Sequence, residues 1–91
     1  MLEIAEFIWD EGNIHKPQRH GIIPGEAEEV FFNDPYFRRT RSSRYSAWGQ
    51  TDAGRYLIVI FEYQSRSARV ITAREMKISE RRLYLRERRN I

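Results

Sequence analysis

Apolar positions change their period twice along this chain. Residues 2–9, LEIAEFIW, alternate loosely with period two and predict a first strand, which the cluster Asp10-Glu11-Gly12-Asn13 ends as a turn. A short helical segment then runs to His20-Gly21, where a basic last turn and a glycine make a stop signal. Pro17 keeps that segment short, because proline fits only the first turn of a helix without losing a hydrogen bond. PGEAEEVFFNDP predicts a firmer helix. Pro24 suits its first turn, Glu26, Glu28 and Glu29 favour the positive end of the macrodipole, and Ala27, Val30 and Phe31 share one face. Asn33-Asp34-Pro35 stops it, and residues 36–43, YFRRTRSS, read as an exposed basic connection.

From Arg44 the period returns to two. RYSAWGQ, RYLIVIFEY and ARVITA, joined by the turns TDAG and QSRS, predict a three-stranded antiparallel meander. Leu57 to Phe61 is apolar at every position, so its strand is central and covered on both faces. Beyond Arg74, EMKISERRLYLRERRN predicts a closing helix with Ser79 as its N-cap. The order is β-α-α-β-β-β-α, an α+β fold with helices packed on a small twisted antiparallel sheet. Residues 1–91, without repeat or linker, make one domain.

Composition narrows the chemistry. Hydrophobic residues make up 41% of the chain, enough for a core even though 32% is charged. There is no cysteine and only two histidines, which removes disulfides and thiolate metal sites and argues against zinc; no metal or cofactor is expected. The apolar run Tyr56 to Phe61 is far short of the ~20 residues of a membrane span. The N-terminus has acids where a signal peptide has bases, so the expectation is a soluble, cytoplasmic protein with no membrane partner.

The net charge of +3 hides a polarity: residues 1–34 carry −6, residues 35–63 carry +3 and residues 64–91 carry +6. A basic surface aimed at a polyanion fits that gradient, with the acidic part turned elsewhere or toward a basic partner. Fourteen of the sixteen bases are arginine, whose planar fork of donors can grip phosphate bidentately where lysine acts as a point charge. An arginine-rich genome would leave the same bias.

Seven segments in order, FIWDEGN, QRHGI, EAEEVFFND, RYSAWG, YLIVIFEY, RVITARE and SERRLY, resemble the BrnT family of type II toxins over roughly residues 7–84. The resemblance implies a RelE-like ribonuclease fold. It also implies a toxin that degrades RNA and arrests translation, held inactive by a co-encoded antitoxin that carries a DNA-binding ribbon-helix-helix domain; operator DNA would be met only through that antitoxin. Two positions depart from the family pattern. Lys16 stands where the family has an asparagine four residues before His20, and Ser42 where members often have a glutamate two residues before Arg44.

Metal-free RNA cleavage needs a group to take the 2′-hydroxyl proton, cations to stabilise charge on phosphorus, and an acid for the 5′-oxygen. Arg44, Arg69 and Arg74 are candidates for the phosphate clamp, and Arg81 and Arg82 extend it as a basic helix surface. For each the competing explanation is a surface ion pair worth ~0–1 kcal/mol. Strand alternation sets Arg69 with Ile71 on one face and Val70 with Thr72 on the other.

His20 is the acid or base by residue type, and a C-terminal helix cap by position. Glu80 and Tyr84, four apart, share a helix face, with first-turn macrodipole and core-packing roles as alternatives. Trp9, Tyr45, Trp48 and Tyr56 could stack on unpaired bases, although so small a chain needs at least two of them in its core. Arg86, Arg88 and Arg89 form a solvated or nucleic-acid-facing tail, or meet an acidic antitoxin segment. The readings left standing are an endoribonuclease, a nucleic-acid-binding module without chemistry that acts with a ribbon-helix-helix partner, and an interaction domain, the last opposed by the charge polarity.

Overall fold

The computed structural model describes residues 2–41 and 43–88, and the backbone of Arg89. Its strands are β1 (Glu6–Ile8), β2 (Tyr36–Arg41), β3 (Arg44–Gln50), β4 (Tyr56–Gln64) and β5 (Ser67–Glu75); its helices are α1 (Pro24–Phe32) and α2 (Ile78–Arg89), with a 3₁₀ turn at Pro17–His20. The five strands form one sheet in the order β1-β5-β4-β3-β2. The meander β3-β4-β5 is antiparallel, as its spacing requires, and β1 joins the outer side of β5 in parallel.

Three expectations need correction. The basic segment after Pro35 is not a loop: it pairs antiparallel with β3 as an edge strand, Tyr36 opposite Trp48 and Arg38 opposite Ser46. The element order is therefore β-α-β-β-β-β-α with a 3₁₀ turn after β1. Charged side chains on an edge strand block pairing with another chain, which is why the pattern looks like a loop. The first strand is three residues long rather than eight. The last helix begins at Ile78, so Ser79 lies inside its first turn; the Glu80 carboxylate caps it instead, accepting from the Lys77 N–H at 2.8 Å.

β4 is the central strand and divides the core in two. On one side Leu57, Val59 and Phe61 pack with Ala27 and Val30 of α1 and with Ile22, and Phe31 meets Phe61 edge-on at 5.0 Å. On the other side Ile58 packs with Trp48 and with Tyr84 of α2. Burying both faces of one strand explains its unbroken apolar run. Gly49 is needed where α1 crosses β3: an added Cβ would lie 3.1 Å from Val30 Cγ1. Among the described residues no helix is long and apolar enough to cross a membrane.

Candidate nucleic-acid interface

Arg69 and Arg74 are five residues apart on β5, an odd separation that regular alternation would place on opposite faces. A bulge prevents this. Ile60 pairs with Thr72 but the next residue of β4, Phe61, pairs with Val70, so Ile71 has no partner and the alternation is reset. Arg69 therefore shares a face with Thr72 and Arg74, not with Ile71, which corrects the alternation expected from sequence. Val70 turns instead into the α1 core, where it is fully buried with Ala68 and Ala73 of the same strand.

The register carries the same face across the sheet. Ile8, Arg69, Glu62 and Arg44 form one cross-strand row, and Arg74, Ile58, Trp48 and Tyr36 form another, toward α2. Between them lies the row Thr72, Ile60, Ser46 and Arg38. All three candidate clamp arginines thus sit on the α2 face of the sheet, joined by Arg38, which covers the Trp48 ring at 5.4 Å. Two clefts open there. One, of about 320 Å³, is floored by Trp48, Ile58 and Ile60 and edged by Arg38 and Arg74. The other, of about 340 Å³, is lined by Ile8, Ser43, Glu62, Ser67 and Arg69. A larger depression of about 490 Å³ between Phe32 and Arg88 carries Asp34 and Asp52, and its acids make it a poor seat for phosphate.

Two of the three arginines are held by carboxylates. Arg74 donates through both terminal nitrogens to Glu80, each bond 2.7 Å long. Arg74 is the main reason the Glu80 carboxyl is pulled down to about 2, with the Lys77 N–H helping against the opposing effect of burial. An acid so strong holds no proton to donate at neutral pH and is a weak base. Arg69 donates to Asp10, whose other oxygen accepts from the Gly12 N–H at 2.8 Å. These bonds, Arg69 first, keep Asp10 below the usual carboxylate range. Arg44 is exposed and makes no side-chain hydrogen bond or ion pair among the described residues.

The loop that delivers Asp10 depends on Asn13, which is 1% exposed. Its amide donates to the carbonyls of Ile8 at 2.8 Å and Val70 at 2.7 Å, and its oxygen accepts from the Asp10 N–H at 2.7 Å. One buried side chain thus ties β1 to β5 beside Arg69. The sequence marked Asp10 and Asn13 only as turn formers, and no local signal ties either to a residue nearly sixty positions away.

The remaining candidates are dispersed. His20 is exposed at the end of the 3₁₀ turn, where Gly21 adopts φ 71° and its N–H donates to the Gln18 carbonyl. Ile22 anchors that segment in the α1 layer, on the other side of the sheet from Arg69 and Arg74. Tyr84 is fully buried, and its hydroxyl accepts from Arg88 at 2.7 Å. Arg81 stacks on the Tyr56 ring at 3.9 Å, and Arg82 is exposed on α2. Of the four aromatic candidates Trp48 is buried. The others are half-buried and engaged: Trp9 donates to Glu28 at 2.7 Å, Tyr45 stacks on Phe61, and Tyr56 meets Tyr84 edge-on. Lys16 is exposed, and Ser42 lies outside the described residues. Among the described residues no group of three or more His, Asp or Glu side chains could hold a metal ion.

A family model described as the ribonuclease toxin, BrnT, of type II toxin-antitoxin systems matches residues 9–80. The chain belongs to the BrnT family. The BrnT match spans both carboxylate–arginine pairs, from Asp10 to Glu80. Among solved structures the chain is similar to the Brucella abortus ribonuclease toxin, BrnT, with 25% identity and a TM-score of 0.65, over 79% of this chain and 96% of that one. The α+β architecture is therefore that of a BrnT toxin. No curated protein matches the chain.

Proposed function

We propose that this BrnT-family chain is an endoribonuclease toxin that binds RNA along the α2 face of its sheet, cleaves it without a metal ion and so stops translation. The observation that carries the reading is the bulge at Ile71, which brings Arg69 onto the face that holds Arg74 and Arg44. Three guanidinium groups on one face can contact successive phosphates and offset the charge that builds on phosphorus. Before RNA binds, Glu80 and Asp10 keep two of them oriented at the surface.

A cognate antitoxin, of ribbon-helix-helix type, neutralises the toxin and links it to operator DNA. An acidic antitoxin segment on the same arginine face would compete directly with RNA.

The test is incubation of the purified chain with total RNA in EDTA, beside an Arg69→Ala/Arg74→Ala double variant. Degradation by the wild type alone supports the reading. Intact RNA that is nevertheless bound with strong salt dependence would replace it by a non-catalytic binding module. The pairing of Glu80 and Asp10 with arginines favours that second reading, because it removes two carboxylates from proton transfer.

A further inference from the structure

We infer that Glu62 is the general base of the RNA cleavage proposed above, taking the 2′-hydroxyl proton of a nucleotide seated in the cleft beside Arg69; the inference rests on that reading. Glu62 lies on β4 in register with Arg44 on one side and Arg69 on the other, so a carboxylate stands between two phosphate-binding cations in one row across the sheet. It lines the cleft of about 340 Å³ together with Ser43, Ser67 and Arg69. Its side chain accepts no hydrogen bond and makes no ion pair within 4.0 Å among the described residues, in contrast to Asp10 and Glu80.

Of the carboxylates on this face it is the one between the arginines that is left able to take a proton. The charged groups around it are Arg44 from β3, Arg41 opposite Arg44 on β2, Arg69 with its Asp10, and Glu6 of β1, which accepts from Ser67 at 2.7 Å. Half-burial limits water around the carboxylate without closing it off.

In the step assigned to it, the Glu62 carboxylate removes the proton from O2′, and O2′ forms a bond to phosphorus. The bond from phosphorus to O5′ breaks, the departing oxygen takes a proton from water, and Arg44 and Arg69 balance the charge on the phosphoryl oxygens. The products are a 2′,3′-cyclic phosphate and a 5′-hydroxyl.

The experiment compares wild type, Glu62→Gln and Glu62→Asp on a short RNA, with binding measured on the same oligonucleotide made of 2′-deoxynucleotides. Thermal unfolding of each variant checks the fold. The expected result is a kcat lower by 10²–10⁴-fold in Glu62→Gln, a typical contribution of a general base. Deoxy-oligonucleotide affinity is unchanged or tighter, the acidic limb of the pH–rate profile disappears, and Glu62→Asp recovers part of the rate.

Cleavage by Glu62→Gln within threefold of wild type would overturn the assignment. So would a parallel loss of binding and turnover, which would make Glu62 a holder of the arginines, or products ending in a 3′-hydroxyl. A wild type that cleaves nothing would instead bring down the ribonuclease reading itself, and the base with it.

Discussion

Arg74 and Glu80 face each other through two parallel hydrogen bonds of 2.7 Å, joining the last strand to the first turn of the last helix. The same carboxylate caps that helix through the Lys77 N–H. Its pKa of about 2, against an ordinary 4.5, means that the folded state resists protonating it. The stabilisation is fully present above about pH 4.5 and is lost as pH falls through about 2. Unscreened, the shift corresponds to about 3 kcal/mol; with Arg74 37% exposed, about 1–2 kcal/mol is expected. Urea unfolding across pH should show Glu80→Gln weaker than wild type by that amount at pH 7, with the difference closing toward pH 2.

Gly12 sits against the other pair. A Cβ there would lie 2.9 Å from an Arg69 terminal nitrogen and 3.1 Å from an Asp10 oxygen. The displaced atoms belong to the end of a flexible side chain, so Gly12→Ala should cost less than about 1 kcal/mol of stability. RNA affinity should fall as the guanidinium moves, with a salt slope lower by about 0.7 if one single-strand phosphate contact is lost. Paired unfolding and salt-titration measurements separate the two effects.

Asn13→Ala removes the donor to two carbonyls and the acceptor of the Asp10 N–H at once. Buried groups left unsatisfied cost about 1–3 kcal/mol each, and relaxation recovers part of that, so a loss of about 2–4 kcal/mol is expected in urea unfolding. Hydrogen exchange should rise first in the Asp10–Asn13 turn and β1.

The bulge can be tested by deletion. Once Ile71 is gone, the residues Arg69, Val70, Thr72, Ala73 and Arg74 can pair one to one with Glu62 to Ile58, so regular alternation alone keeps Arg69 and Arg74 on the α2 face and Val70 in the α1 core. Deleting Ile71 should therefore cost about 1–3 kcal/mol, from the loss of its half-buried side chain and a change in local twist, with RNA affinity retained. Ile71→Ala, which keeps the extra residue, should cost about 1–2 kcal/mol and leave RNA binding intact.

The meander and α1 were legible because their periods are unmixed: Tyr56 to Phe61 could only be a strand buried on both faces. β2 was hidden because its outward residues Arg38, Arg39 and Arg41 swamp the apolar alternation. The helix start was misplaced because Ser79 is the better cap by type, while Glu80 does the capping through its side chain. At the candidate site the arginines were found by residue type, but their shared face was not, since it depends on a bulge that no residue preference announces. Glu62 was passed over inside RYLIVIFEY, although its parity with Ile58 and Ile60 already put it on their face.

The parallel pairing of β1 with β5 has a consequence for the order of events in folding. Glu6 aligns with Ser67, so the first strand has no edge to dock on until the last strand exists, and the ring it closes spans about sixty residues. Loop closure over that length is slow to be repaid by a pairing of three residues. The turn carrying Asp10 and Asn13 therefore settles late, after β3, β4 and β5 have formed their meander. A chain interrupted before Arg69 has the Asp10–Asn13 turn but neither the strand it docks on nor the cation Asp10 holds, so the arginine face is completed only after β5 has been made.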